Sequence, residues 1–157
     1  MTDPAQRYSA AFADRAIALA QETFDIEAAA VLGLKSRVGS SFAQAVALIL
    51  SLQGRVVVMG MGKSGHIGRK IAATLASTGT PSMFVHPAEA SHGDLGMITA
   101  ADLVLAISNS GESQEMSTIL PVLKRLGAPM VAMTANGKST MALHADLWLD
   151  SAVDKEA

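Results

Sequence analysis

The chain has no cysteine in its 157 residues. A disulfide framework, a thiolate zinc site and a cysteine nucleophile are thereby excluded. Aromatic residues make up only 4%, and there is no basic excess: the formal net charge is −2 and the sequence pI is about 6.0. With few rings for bases to stack on and no positive field to draw phosphates, nucleic acid is not expected as a partner. Long apolar runs are missing too, because the longest uncharged stretches hold Gly, Ser, Gln or Pro. The first residues, Met1-Thr2-Asp3-Pro4, open with an acid and lack a basic segment followed by an apolar one. No signal peptide, membrane span or membrane partner is expected, and the absence of cysteine fits a cytoplasmic location.

Present in quantity are apolar residues, half of the total, and 13 glycines. That is enough to bury one sizeable core, and a single domain is expected overall. Residues from about 5 to 34 are Ala-rich, with Phe12, Leu19, Ile26 and Val31 near helical spacing; Phe42, Val46 and Ile49 repeat the pattern before Gly54. Residues 1–53 are thus read as N-terminal helices packing on the domain, and 54–157 as its core. From Arg55 onward short β-branched runs alternate with helical segments, the pattern of βαβ units around a parallel sheet. Five strands are predicted, at about 55–60, 81–85, 103–108, 129–134 and 146–149, with helices at about 64–78, 112–126 and 139–145. The fold class is α/β: a five-stranded parallel sheet flanked by helices in a flavodoxin-like three-layer sandwich. Gly79 and Gly127 stand as helix stops. The connection from His86 to Thr99 shows no strong helical pattern, and a loop of that length in a compact α/β domain is more often functional than idle.

Two predicted strand-to-helix turns carry the chemistry. Gly60-Met61-Gly62-Lys63-Ser64-Gly65-His66 follows Val56-Val57-Val58-Met59, and Ser108-Asn109-Ser110-Gly111-Glu112-Ser113 follows Leu103-Val104-Leu105-Ala106-Ile107. Glycines let backbone approach a ligand, hydroxyls and free helix N–H groups donate hydrogen bonds, and Lys63 adds a positive charge. Both turns suit a small anion such as a phosphate. One such loop alone is as easily a plain connection, but the turns after the first and third strands of a doubly wound sheet meet at its switch point, where ligands bind.

Gly60-x-Gly62-x-x-Gly65 also spells the dinucleotide fingerprint. That reading requires an acid at the end of the second strand, whereas Ser82-Met83-Phe84-Val85 runs into His86-Pro87, with Glu89 beyond a proline. The P-loop pattern requires a glycine where Val57 stands, and a nucleophile elbow requires one where His66 stands. His86, Glu89, His92 and Asp94 crowd the long loop, but no helical register gathers them and no metal is assigned. His92, in Ser91-His92-Gly93-Asp94, places a titratable group between flexible positions in a loop able to fold over the cradle. Glu112 and Glu115 are both placed in the first turn of the helix after the third strand, where the helix dipole alone favours a carboxylate. A carboxylate there also lies within reach of the carbons of a bound sugar phosphate.

The stretches from Val56 to Gly79, from His86 to Met97 and from Ile107 to Ser113 closely resemble the sugar isomerase (SIS) domain of D-arabinose 5-phosphate isomerases. The resemblance implies an aldose–ketose isomerisation between D-ribulose 5-phosphate and D-arabinose 5-phosphate, through an enediol and without a cofactor, supplying the Kdo sugar of lipopolysaccharide or capsule. By the family pattern Ser64, Ser108, Ser110 and Ser113 bind the phosphate, and Gly62, Asn109 and His86 complete the substrate-binding set. Lys63, His92 and Glu115 form the catalytic set, with Glu115 or His92 moving the proton between C1 and C2 and Lys63 steadying the substrate oxygens. Members of the family continue past the Asp154-Lys155-Glu156-Ala157 region into a Ser/Thr-rich turn, a helix and a His-Pro-Gly-Gly segment, and many carry a pair of CBS domains. None of these is in the sequence, which is read as the core of such an enzyme with one sheet face left apolar, so that a homodimer or homotetramer is expected. Two alternatives stay open: a non-catalytic sugar-phosphate sensor, since SIS domains also serve transcription regulators, and a related heptose or hexose phosphate isomerase.

Overall fold

The computed structural model describes residues 10–156. They form two compact units, one of the described residues up to 36 with those from 153 on, and one of residues 37–152. In the first, helix α1 spans Ala10–Gly33 and ends in a 3-10 turn, Leu34–Ser36, where the Ser36 hydroxyl donates to the Gly33 carbonyl at 3.0 Å. Lys155 and Glu22 form a 3.1 Å ion pair within this unit.

The second unit holds α2 (Ser40–Ser51), β1 (Val56–Gly60), α3 (Gly62–Ser77), β2 (Ser82–Val85), α4 (Pro87–Ser91), β3 (Leu103–Ile107), α5 (Gln114–Leu126), β4 (Met130–Thr134), α6 (Thr140–His144) and β5 (Leu147–Asp150). All five predicted strands form, in one parallel sheet of order β2-β1-β3-β4-β5. The central strands are apolar throughout because both faces are covered. Val57, Met59, Val104 and Ala132 pack with α4, α5 and α6 residues such as Ala90, Met116, Leu120 and Met141. Val56, Val58, Leu105 and Val131 pack on the other face with Ala45 of α2 and Ala72 of α3. The expected bare face is therefore not found: α2 lies on it, with Leu48, Ile49 and Leu52 packed against the core. Its opposite side, with Phe42, Val46 and Leu50, is exposed.

Helix stops follow the sequence. Gly127 caps α5 at φ 75° and Gly79 follows α3 at φ 96°, backbone conformations in which a Cβ is strained. The connection after β2 differs from expectation, holding α4 and a 3-10 turn at Asp94–Met97. Pro87 presets the first helical φ, and the His86 ring Nδ1 accepts from the Ala88 N–H at 3.3 Å. A five-residue helix is too short to leave a readable apolar period.

At the N-terminal edge of the sheet, buried Asp102 ties β1 to β3. Its carboxylate accepts from Arg55 N–H at 2.7 Å, Thr99 N–H at 2.8 Å and the Thr99 hydroxyl at 3.0 Å, and Arg55 Nε lies 3.5 Å away. Burial opposes its ionisation, but the backbone and side-chain hydrogen bonds from Thr99 and Arg55 outweigh burial and hold the carboxyl below its ordinary value of 3.8.

Candidate active site

The catalytic candidates all follow the C-terminal ends of three adjacent strands. Lys63 and Ser64 lie in the first turn of α3 after β1, Ser108 to Ser113 connect β3 to α5, and His92 caps α4 after β2. Because β1 lies between β2 and β3, the topology brings these three connections to one sheet edge, at the point where chain order reverses.

The first turn is tight for a reason readable in its glycines. A Cβ on Gly65 would stand 2.7 Å from the Gly60 carbonyl oxygen, and one on Gly60 would stand 3.0 Å from the Ser64 carbonyl. Only glycines let α3 start this close to β1, and Gly62 takes φ 51° at its head. The N-cap, Met61, gives no side-chain hydrogen bond and the first turn has no acid. Lys63 stands there against the helix dipole, is exposed, and has no ion-pair partner among the described residues. A cation at the positive end of a helix is disfavoured by about 0.3–1 kcal/mol, a cost that a bound anion reverses. The first-turn N–H groups, the Ser64 hydroxyl and the Lys63 ammonium thus form a donor set with no acceptor of its own.

In the second turn every serine is locally anchored. The Ser108 hydroxyl oxygen accepts from Gly111 N–H at 3.1 Å, that of Ser110 from Glu112 N–H at 3.3 Å, and that of Ser113 from Met116 N–H at 3.2 Å. In each case the oxygen is held by a backbone donor, and the hydroxyl proton is given to no acceptor among the described residues. Three fixed oxygens with three protons to donate are what a phosphate requires. Asn109 serves through its backbone: its carbonyl accepts from Ala135 N–H at 3.1 Å and the Thr134 hydroxyl at 3.0 Å.

Glu115 is in the first turn of α5, as read from the sequence, and is exposed. Glu112 is not in that helix. The helix starts at Gln114 with Ser113 as cap, and Glu112 instead accepts from Thr140 N–H at 2.8 Å at the start of α6. Ser113 competes for the cap because its hydroxyl reaches Met116 N–H, which starts the first turn at Gln114, two residues beyond Glu112. The side-chain and backbone hydrogen bonds of Thr140 hold the Glu112 carboxyl below its ordinary value of 4.5. His86 is half-buried, its ring 6.5 Å from that of Phe84, with the Arg69 guanidinium 4.2 Å over the Phe84 ring. His92 is exposed, followed by Gly93 at φ 139°.

Sequence reasoning missed the connection from β4 to α6. Met141 N–H donates to the Gly111 carbonyl at 3.1 Å, and a Cβ on Gly111 would stand 2.1 Å from the Ser139 hydroxyl oxygen, so this loop packs directly on the serine turn. The signals were Asn136-Gly137, a turn pair, and Ser139, which caps α6 by accepting from Ala142 N–H at 3.2 Å. Among the described residues no three His, Asp or Glu side chains are grouped as metal ligands, and no helix is long and apolar enough to cross a membrane.

Comparison with known proteins gives the family. The SIS domain model matches residues 49–157. The arabinose 5-phosphate isomerase KdsD of Pseudomonas aeruginosa is 59% identical over 138 residues, covering 88% of this chain and 42% of that protein. That of Escherichia coli K12 is 54% identical over 137 residues, covering 87% and 42%. The protein thus spans about two-fifths of the length of these curated relatives. The solved structure of E. coli CFT073 c3406 in complex with A5P superposes with a TM-score of 0.87 and 44% identity, over 91% of this chain and 76% of that one. The domain model covers most of the chain, and the chain belongs to the SIS domain family.

Proposed function

We propose that the chain is the sugar-phosphate-binding core of an arabinose 5-phosphate isomerase, interconverting D-ribulose 5-phosphate and D-arabinose 5-phosphate in Kdo and lipopolysaccharide biosynthesis. The observation that carries this reading is the conjunction of two anion-donor turns with Lys63, His92 and Glu115 at one sheet edge, in a protein 59% identical to a KdsD isomerase. The phosphate sits between the α3 N-terminus with Ser64 and the hydroxyls of Ser108, Ser110 and Ser113, with Gly62 and Asn109 shaping the two turns and His86 bordering them. Anchoring the phosphate presents C1 and C2 to the side chains around them. Glu115 or His92 removes the proton from C2 of the aldose and returns it to C1, and the Lys63 ammonium stabilises the negative charge that develops on the enediol oxygens. This chemistry requires no cofactor. Residues 1–53, of which 1–9 lie outside the described residues, are the N-terminal part and 54–157 the catalytic part, the location is cytoplasmic, and the exposed Phe42, Val46 and Leu50 side of α2 supports assembly as a homodimer or homotetramer.

The test supplies the protein with D-arabinose 5-phosphate, a hexose 6-phosphate and a heptose 7-phosphate and measures the ketose or aldose formed. Interconversion of the pentose phosphates alone supports the reading. Turnover of a six- or seven-carbon substrate instead transfers the site to the related isomerases, and binding without turnover of any sugar transfers it to a sensor.

A further inference from the structure

Glu112 is an exposed carboxylate beside the serine turn, and neither phosphate binding nor proton transfer uses it. Its partner is the Thr140 N–H, 2.8 Å away and 28 residues on. That contact is one of four hydrogen bonds joining the same two loops. The Asn109 carbonyl takes Ala135 N–H and the Thr134 hydroxyl, the Gly111 carbonyl takes Met141 N–H, and Gly111 at φ 70° presses on Ser139. The serine turn therefore does not stand alone on β3. It is fastened along its length to the loop after β4, and the Glu112 side chain supplies the fastening next to Ser113 in the chain.

We infer that Glu112 is a positioning residue for the sugar-phosphate site: by capping Thr140 it locks the Ser108–Ser113 turn onto the β4–α6 loop and aligns the serine hydroxyls on the phosphate. The inference rests on the proposed function for the ligand, but the clamp itself is a property of the folded protein. An unclamped turn has more conformations, and a ligand that needs one of them binds more weakly by the fraction of time that it is present. The reduced carboxyl pKa of Glu112 fits a group held ionised by this contact.

The experiment compares wild type, Glu112→Ala and Glu112→Gln by two readouts. The first is amide hydrogen exchange at Thr140 and Met141 without ligand. The second is the affinity for D-arabinose 5-phosphate by calorimetry. Glu112→Ala is expected to speed exchange at both amides about tenfold and weaken binding about tenfold, while Glu112→Gln, which retains an acceptor oxygen, recovers most of both. Unchanged exchange in Glu112→Ala removes the clamp. Faster exchange with affinity within twofold of wild type leaves a clamp that positions nothing, and overturns the inference. A wild-type protein that does not bind the sugar phosphate overturns the reading of the site and with it the positioning role, and exchange at Thr140 then decides separately whether the clamp exists.

Discussion

Replacing Asp102 by alanine tests how far one buried carboxylate holds this sheet together. Asp102 directly precedes β3, and it accepts the N–H of Arg55, which directly precedes β1, and the N–H and hydroxyl of Thr99. The side chain is 2% exposed. Alanine leaves two backbone donors without their partner, and each buried unsatisfied group costs about 1–3 kcal/mol. Arg55 and Thr99 are partly open to water, so the sum is taken toward the lower end, about 2–4 kcal/mol, a large share of the about 5–15 kcal/mol typical of a whole domain. Asparagine restores one acceptor but turns its NH2 toward another donor, and about half the loss is expected to remain. With urea slopes of about 1–3 kcal/mol per molar, the alanine variant should unfold about 1–2 M earlier by circular dichroism at pH 7. The pH dependence follows from the sign of the shift. The folded carboxyl ionises below the ordinary value of 3.8, so its contribution is complete above that value and is lost as the pH falls through the lower, folded one. The difference between wild type and variant should therefore shrink below about pH 4. A variant within about 0.5 kcal/mol of wild type at pH 7, or a gap that widens in acid, would refute this account of the β1–β3 tie.

Three further outcomes follow. Gly65→Ala puts a Cβ 2.7 Å from the Gly60 carbonyl, and the backbone shift this forces should cost about 1–3 kcal/mol in unfolding and weaken sugar-phosphate binding at the same time. Lys63→Ala should lower turnover by about 10²-fold or more and flatten the dependence of binding on ionic strength, as measured by initial rates and by titration at two salt concentrations. Glu115→Gln and His92→Asn separate the two base candidates: the one that moves the proton should lose about 10²–10⁴-fold in kcat while the other keeps most of it.

The sheet was legible because β1, β3 and β4 are short apolar runs buried on both faces, which leaves almost no polar interruption to misread. The two ligand turns were legible for a related reason. Gly60, Gly62 and Gly65 in one and the serines in the other are residue types that a plain connection does not need in that number. The short helix at Pro87–Ser91 escaped notice because five residues carry no period, and Glu112 was assigned to a helix because a first-turn acid and a loop acid look alike in sequence. Its partner Thr140 lies 28 residues away, and only the pairing of β3 with β4 brings the two together. The packing of α2 on the domain was expected, but not that it covers this sheet face, because its place there depends on packing of Ala45, Leu48 and Ile49 rather than on any local signal.

The most direct measurement is proton NMR of D-arabinose 5-phosphate in D2O with the wild-type protein. In the enediol mechanism the C2 proton rests on an exposed side-chain base that exchanges with D2O before delivery to C1, so the C2–H signal should disappear as D-ribulose 5-phosphate carrying deuterium at C1 accumulates, and Glu115→Gln or His92→Asn should abolish the loss. A C2–H signal that persists while the sugar phosphate binds would contradict proton transfer at this site and reduce the protein to a binding module.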